Sequence, residues 1–149
     1  MSSTTYTQIL YQIVFGTKYR RNTLIESSRP LLYKHIWEII KNRNCHVYRI
    51  GGIENHVHII MHLHPSVALA SLIKEIKISS AIYIKANNIF PDFTGWQRGY
   101  GAFTYSISAK NNLIKYVKNQ KAHHNNETFE KEYKRLLSEH QIKFNKNHL

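Results

Sequence analysis

The chain has 149 residues, with 21 Lys+Arg against 9 Asp+Glu, a net charge of +12 with histidine neutral. That length fits a single domain over residues 1–149, and 42% hydrophobic residues with 12% aromatics supply a core, which excludes a disordered basic tail. Six glycines and three prolines exclude collagen-like and low-complexity classes.

Residues 9–17 are rich in β-branched and aromatic side chains (Ile9, Tyr11, Ile13, Val14, Phe15) and read as a first strand. The basic turn Lys18, Arg20, Arg21 follows. Ser27 or Ser28 caps a first helix, with Pro30 in its first turn. Leu32, Ile36, Ile39 and Ile40 recur at helical spacing, and the helix ends near residues 42–44. Residues 46–50 read as a second strand, Gly51-Gly52 as the turn, and residues 53–64 as a third strand stopped by Pro65. A second helix, capped by Ser66, carries Leu69, Leu72, Ile73 and Ile76 and runs to about Ala86. A loop over 90–98 leads to a fourth strand, 100–108, with Phe103 and Tyr105 on one face. Ser108 caps a third helix through about His123, and a last helix covers about 127–139, with a frayed tail after Ile142. The order predicts an α+β fold. It is a split β-α-β, ferredoxin-like, four-stranded antiparallel sheet with helices on one face and extra C-terminal helices.

Charge of this size on a small domain points to a polyanion, with nucleic acid ahead of a membrane surface. No apolar run approaches the roughly 20 residues of a spanning helix. The N-terminus lacks the basic and then apolar pattern of a secretory signal. Cys45 is the only cysteine, which fits a reducing cytoplasm. No acid occurs from 93 to 126, a stretch that holds Arg98, Lys110, Lys115, Lys118 and Lys121. Beyond Glu127 the acids Glu130, Glu132 and Glu139 alternate with lysines, as on a solvated helix.

Two local patterns carry chemistry. In the third strand, Val57, Ile59, Met61 and Leu63 alternate with His56, His58, Ile60, His62 and His64. Period two puts the first set in the core and the histidines on the other face. His56 and His58 stand roughly 6.5–7 Å apart along the strand, which lets both imidazoles reach one ion. His62 is about 13 Å from His58 and cannot share it. The plain alternative is a polar strand face built from histidine, and a metal needs at least one further ligand. In the third helix, Leu113, Tyr116, Val117 and Gln120 share one face, and Gln120 breaks an otherwise packable stripe one turn after Tyr116. A phenol acts as a nucleophile where charge stabilises its anion, although a lone helical tyrosine is ordinarily packing.

Four segments then match a known family in order and spacing. They run from Tyr11 to Arg21, from Asn55 to Ile60 (the His56-Val57-His58 core), from Trp96 to Phe103, and from Tyr116 to His124. Over about residues 6–140 the chain resembles the single-tyrosine HUH transposases of the insertion-sequence two-hundred/six-hundred-and-five group. The resemblance implies a nucleophile at Tyr116 and a Mg²⁺ or Mn²⁺ ion held by His56, His58 and Gln120. It implies action on single-stranded DNA with hairpins, through a 5′-phosphotyrosine and a free 3′-OH. It also implies a homodimer in which the tyrosine helix of one subunit completes the other's site. One departure is Gln12, where many relatives carry histidine. Lys18, Arg20, Arg21, Arg98, Lys110, Lys115, Lys118 and Lys121 are the expected phosphate contacts, and Tyr19, Trp96 and Tyr100 the expected base-stacking rings. The competing readings are a domesticated relative working on chromosomal hairpin repeats, a nucleic-acid-binding domain without catalysis, and a phosphodiesterase that uses water with Tyr116 only structural.

Overall fold

The computed structural model describes residues 4–149. Strand β1 (Leu10–Gly16) leads through two short 3₁₀ turns to helix α1 (Arg29–Asn42), then to the hairpin β2 (His46–Ile53) and β3 (His56–His62). Helix α2 (Leu69–Asn87) and strand β4 (Gly101–Tyr105) follow, and α3 (Lys110–Lys118), α4 (Gln120–His123) and α5 (Phe129–Glu139) close the chain. The sheet order is β2-β3-β1-β4 with every neighbour antiparallel. This is the expected split β-α-β arrangement.

The strand alternation separates two cores. Ile13 and Phe15 of β1 join Val57, Ile59 and Met61 of β3 under Leu32, Ile36 and Ile40 of α1 and Leu72, Ile73 and Ile76 of α2. On the opposite face, Leu10 and Ile60 pack with Leu113 and Val117 of α3. Val14 and Phe103 pack there with Phe129, Tyr133, Leu136 and Leu137 of α5. The C-terminal helices therefore roof the histidine face, and β3 is buried on both sides from His56 to Met61.

Several boundaries differ from the sequence reading. Gly51 and Gly52 lie inside β2, not at its turn; the turn is Glu54-Asn55. Their glycine identity answers packing instead. A Cβ on Gly51 would lie 2.7 Å from Val117 Cγ1 and 2.9 Å from the Val117 carbonyl oxygen, and one on Gly52 would lie 2.1 Å from the His56 carbonyl oxygen. Gly51 is thus what lets α3 settle on the sheet. Ser28 and Ser66 make no side-chain cap; Ser66 instead bonds His64 Nδ1. Ser106, not Ser108, caps the 3₁₀ turn before α3, and Thr128 caps α5 by accepting from the Lys131 N–H. The third helix is broken at Asn119 (φ −95, ψ 20), which separates α3 from α4. Residues beyond 142 form a 3₁₀ turn at Lys146–His148, and Leu149 packs against the α5 core.

The Gly51 contact gives a direct test. Gly51→Ala forces backbone and side chain of Val117 apart, an overpacking cost of about 1–3 kcal/mol. At roughly 2–4 °C per kcal/mol for a chain of this size, thermal unfolding should fall by several degrees, measured by circular dichroism.

Candidate active site

The register of β3 places the two histidines. His56 faces Gly16 of β1 and Ile53 of β2, and His58 faces Val14 and Gly51. Gly16 beside His56 and Gly51 beside His58 leave room on this face. Phe129 of α5 fills part of it, with its ring stacked on His56 at 4.0 Å between centroids. Gln12 is wholly buried on the same face, and its Nε2 donates to His58 Nδ1 at 3.1 Å. The Tyr105 hydroxyl donates to Gln12 Oε1 at 2.7 Å. The departure at Gln12 is therefore a bracket that holds the His58 ring from behind.

Tyr116 and Gln120 arrive from above. Leu113 and Val117 anchor α3 on Leu10 and Ile60, so the same face turns Tyr116 toward His58, with ring centroids 5.8 Å apart. Gln120 is buried, and its Oε1 lies 3.0 Å from His56 Nε2. All four residues named by the sequence pattern are thus brought together. They come together within one chain, whereas the resemblance divides them between two subunits. The physical reason is the short link over 106–109, which returns α3 directly over its own sheet, where Gly51 receives it.

Two residues of α5, Glu132 and Arg135, enter the site unforeseen, with His124 just after α4 bonded to the first. Glu132, expected on a solvated helix, is wholly buried at its centre. Its Oε1 lies 3.2 Å from His56 Nε2, accepts from His58 Nε2 at 3.2 Å and accepts from His124 Nε2 at 3.1 Å. Its Oε2 accepts from Gln120 Nε2 at 3.0 Å and from the Tyr116 hydroxyl. Arg135 Nη2 donates to the Tyr116 oxygen at 2.9 Å, while its Nε and Nη2 grip Glu127 at 3.0–3.3 Å. A signal for Glu132 was present: Phe129, Glu132, Tyr133, Leu136 and Leu137 fall at one helical face, so Glu132 interrupts an apolar stripe.

The electrostatics follow from this packing. Burial pushes the His56 imidazole down to about 4, so it is neutral near pH 7. Burial also works against the Glu132 carboxylate, but the imidazoles packed around it, His124 first among them, outweigh it and hold the group below the usual carboxylate range. Burial raises the Tyr116 phenol, the Glu132 charge and hydrogen bond raise it further, and Arg135 opposes both. His124 rises despite its burial because it bonds Glu132.

The donor set suits a divalent cation. His56 Nδ1 rests on Asn55 Oδ1 at 2.9 Å. With its one proton there, the neutral ring turns an Nε2 lone pair toward Gln120 Oε1 and Glu132 Oε1. Electron-pair donors converge on one point, which a cation satisfies. His56, His58 and Glu132 offer ligand atoms that all lie within 4.8 Å of one another.

The expected phosphate contacts divide among several surfaces. Lys18, Arg20 and Arg98 line a groove of about 840 Å³ with Tyr19, Trp96 and Gln97. Arg20 reaches the site through Phe129, 5.3 Å from that ring, and its Nε and Nη2 have no hydrogen-bond partner. Arg21 lies over the Tyr19 ring. Lys118 and Lys121 line a second groove with Arg29, Lys34 and Arg49; Lys115 sits beside Tyr116, and Lys110 lies apart over Tyr48. Of the three expected stacking rings, Tyr19 is 75% exposed. Trp96 is committed to the fold, edge-on to Phe15 and Phe93, with its Nε1 donating to Ser80 Oγ at 2.9 Å. Tyr100 packs against the α1/α2 core.

The family profile described as transposase IS200 like matches residues 5–120, which include the histidine pair, Tyr116 and Gln120. The chain belongs to the IS200-like transposase family. Two solved structures share its fold. One is a candidate transposase from Deinococcus radiodurans R1, 20% identical, covering 80% of this chain and 96% of that one, with a TM-score of 0.62. The other is a REP-associated tyrosine transposase bound to a REP hairpin, 16% identical, covering 83% and 74%, with a TM-score of 0.61. Comparison with curated proteins gives no match. Glu132 and Arg135 of this transposase lie beyond the segment that matches the family profile. No helix among the described residues is long and apolar enough to cross a membrane.

Proposed function

We propose that this transposase cleaves and rejoins single-stranded DNA at hairpin-bearing element ends, with Tyr116 as nucleophile. The observation that carries the reading is the half-buried Tyr116 hydroxyl on Glu132, the carboxylate that the buried His56, His58 and Gln120 also face. The REP hairpin held by a structural neighbour supports hairpin-bearing DNA as the substrate class. It equally favours a second reading with the same chemistry, a domesticated enzyme acting on chromosomal hairpin repeats.

His56, His58 and Gln120 would hold the divalent ion, Mg²⁺ or Mn²⁺, which when bound would polarise the scissile phosphate. Nitrogen-rich ligation favours Mn²⁺ over Mg²⁺. Glu132 Oε2 holds the Tyr116 hydroxyl in place, Arg135 faces the oxygen on which charge develops, and the phenolic proton passes through water to the leaving 3′ oxygen. Tyr116 Oη bonds to phosphorus, the P–O3′ bond breaks, and the 3′ oxygen leaves to become a 3′-OH. The bond energy kept in the 5′-phosphotyrosine lets a second 3′-OH reverse the step, so no nucleotide cofactor is consumed. The basic groove of Lys18, Arg20 and Arg98 leads the backbone past Phe129, and Tyr19 offers an exposed ring to an unpaired base. The test is incubation of the chain with a labelled hairpin-bearing single strand and Mn²⁺, followed by a search for a covalent protein–DNA adduct.

If the chain pairs as a homodimer, each protomer carries its own complete site. Mixed His56→Ala and Tyr116→Phe chains should therefore stay inactive after proven subunit exchange. Recovered adduct formation would mean that the tyrosine helix crosses to a partner.

A further inference from the structure

We propose that Glu132 of α5 is itself a ligand of the divalent cation. With His56, His58 and the Gln120 side-chain oxygen it makes a two-histidine, one-carboxylate, one-amide set that loads Mn²⁺ in the free protein. The proposal rests on the metal reading above and adds a residue that lies outside the segment matching the family.

Charge balance is the first argument. Glu132 is a wholly buried carboxylate whose ion-pair partners among the described residues are all histidines. A buried charge without a charged partner is costly, and burial in a protein normally comes with pairing or metal coordination. A divalent cation at Oε1 would add the full positive charge that no Lys or Arg supplies there.

Hydrogen positions are the second. With the His56 proton on Nδ1 toward Asn55, no hydrogen lies between His56 Nε2 and Glu132 Oε1 at 3.2 Å, or between His56 Nε2 and Gln120 Oε1 at 3.0 Å. His124 Nε2 bridges the two oxygens at 3.0 and 3.1 Å, and the His56 Nε2 lone pair still faces them both, a position that a cation satisfies.

The neighbouring cluster gives the contrast. His123, Glu127 and Glu132 also converge. There the Arg135 guanidinium already grips Glu127 and supplies the positive charge. At the His56–His58–Glu132 point no Lys or Arg pairs with Oε1, and imidazoles alone face it. The remaining oxygen, Oε2, is fixed by Gln120 Nε2 and the Tyr116 hydroxyl, the kind of outer-shell bonding that orients a ligating carboxylate. Two imidazoles with one carboxylate and one amide oxygen suit Mn²⁺ and later first-row ions better than Mg²⁺.

The experiment uses the full chain, stripped with a chelator and titrated with Mn²⁺ in the absence of DNA. The protein is grown with glutamate labelled with ¹³C at its carboxyl carbon and studied by electron–nuclear double resonance. The expected result is one bound Mn²⁺ per chain, with imidazole nitrogen couplings and a ¹³C coupling of a directly bound carboxylate. Glu132→Gln should abolish the ¹³C coupling and weaken Mn²⁺ binding by at least about 10–100-fold, with circular dichroism confirming the fold. Imidazole couplings without a ¹³C coupling in the wild-type chain would overturn the proposal while keeping the metal reading. Unchanged or tighter Mn²⁺ binding by Glu132→Gln would do the same, since the carboxylate would then only occupy the cation's place. Absence of nitrogen couplings, or Mn²⁺ binding indifferent to His56→Ala, would overturn the metal reading and Glu132 with it. Should Glu132→Gln fail to fold, the labelled wild-type chain decides.

Discussion

Tyr116→Phe should abolish the covalent protein–DNA adduct. Phenylalanine keeps the edge contacts with His58 and His123 and removes only the oxygen. Loss of a covalent nucleophile costs on the order of 10⁴–10⁶ in rate, so adduct and strand transfer should both fall below detection on a denaturing gel. Binding to the hairpin strand should persist, because the basic grooves are untouched. The fold should pay a smaller toll. Glu132 loses one hydrogen bond to a charged group, worth about 1.5–3 kcal/mol, while Gln120 still donates to the same oxygen. An adduct that survives would move the nucleophile to another residue. Free 5′-phosphate without an adduct in the wild-type chain would favour the water-using phosphodiesterase.

Arg135→Met carries the second largest expected effect. The guanidinium donates to the Tyr116 oxygen at 2.9 Å and is held there by Glu127 and Glu139. It is the cation nearest the atom that becomes negative when the phenolic proton leaves. Removing one preorganised donor of this kind costs about 10²–10³ in rate. Initial adduct formation under single-turnover conditions should fall by that factor with little change in hairpin affinity. Arg135→Lys should restore little, since one ammonium cannot span Glu127 and Tyr116 as the planar fork does. A rate within about twofold of wild type for Arg135→Met would remove Arg135 from the chemistry.

Most of the site was legible because two of its elements obey strict periods. The alternation of β3 separates His56 and His58 from the core by parity alone. The four-residue step from Tyr116 to Gln120 survives even though the helix breaks at Asn119, because hydrogen bonding resumes with the His123 N–H on the Asn119 carbonyl. Glu132 and Arg135 were not legible from charge, since an acid and a base among lysines look alike on a wet helix and a buried one. What separates the two cases for Glu132 is its place within the apolar stripe of α5, and composition says nothing of that. Gly51-Gly52 misled for a related reason. A glycine pair signals a turn when only local backbone is considered, yet at Gly51 the demand comes from Val117, 66 residues away in sequence. The sheet order and the α1/α2 core followed from element order and hydrophobic spacing. The roof over the histidine face did not, because nothing local says on which side of a sheet a C-terminal helix lands.

The Gln12 bracket makes strand registration a chemical variable. Gln12 meets His58 only because β1 pairs with β3 through Val14↔His58 and with β4 through Gln12↔Phe103. A slip of one residue reverses every side chain of β1. It would carry the amide away from the imidazole and set an apolar Tyr11 or Ile13 on the histidine face. Such a chain would keep its strands, yet the His58 ring would lose the amide that orients it. Spectra of secondary structure would score it as native. The ligand geometry at His58 would report the error, which makes cation binding a finer gauge of correct folding for this chain than its helix and strand content.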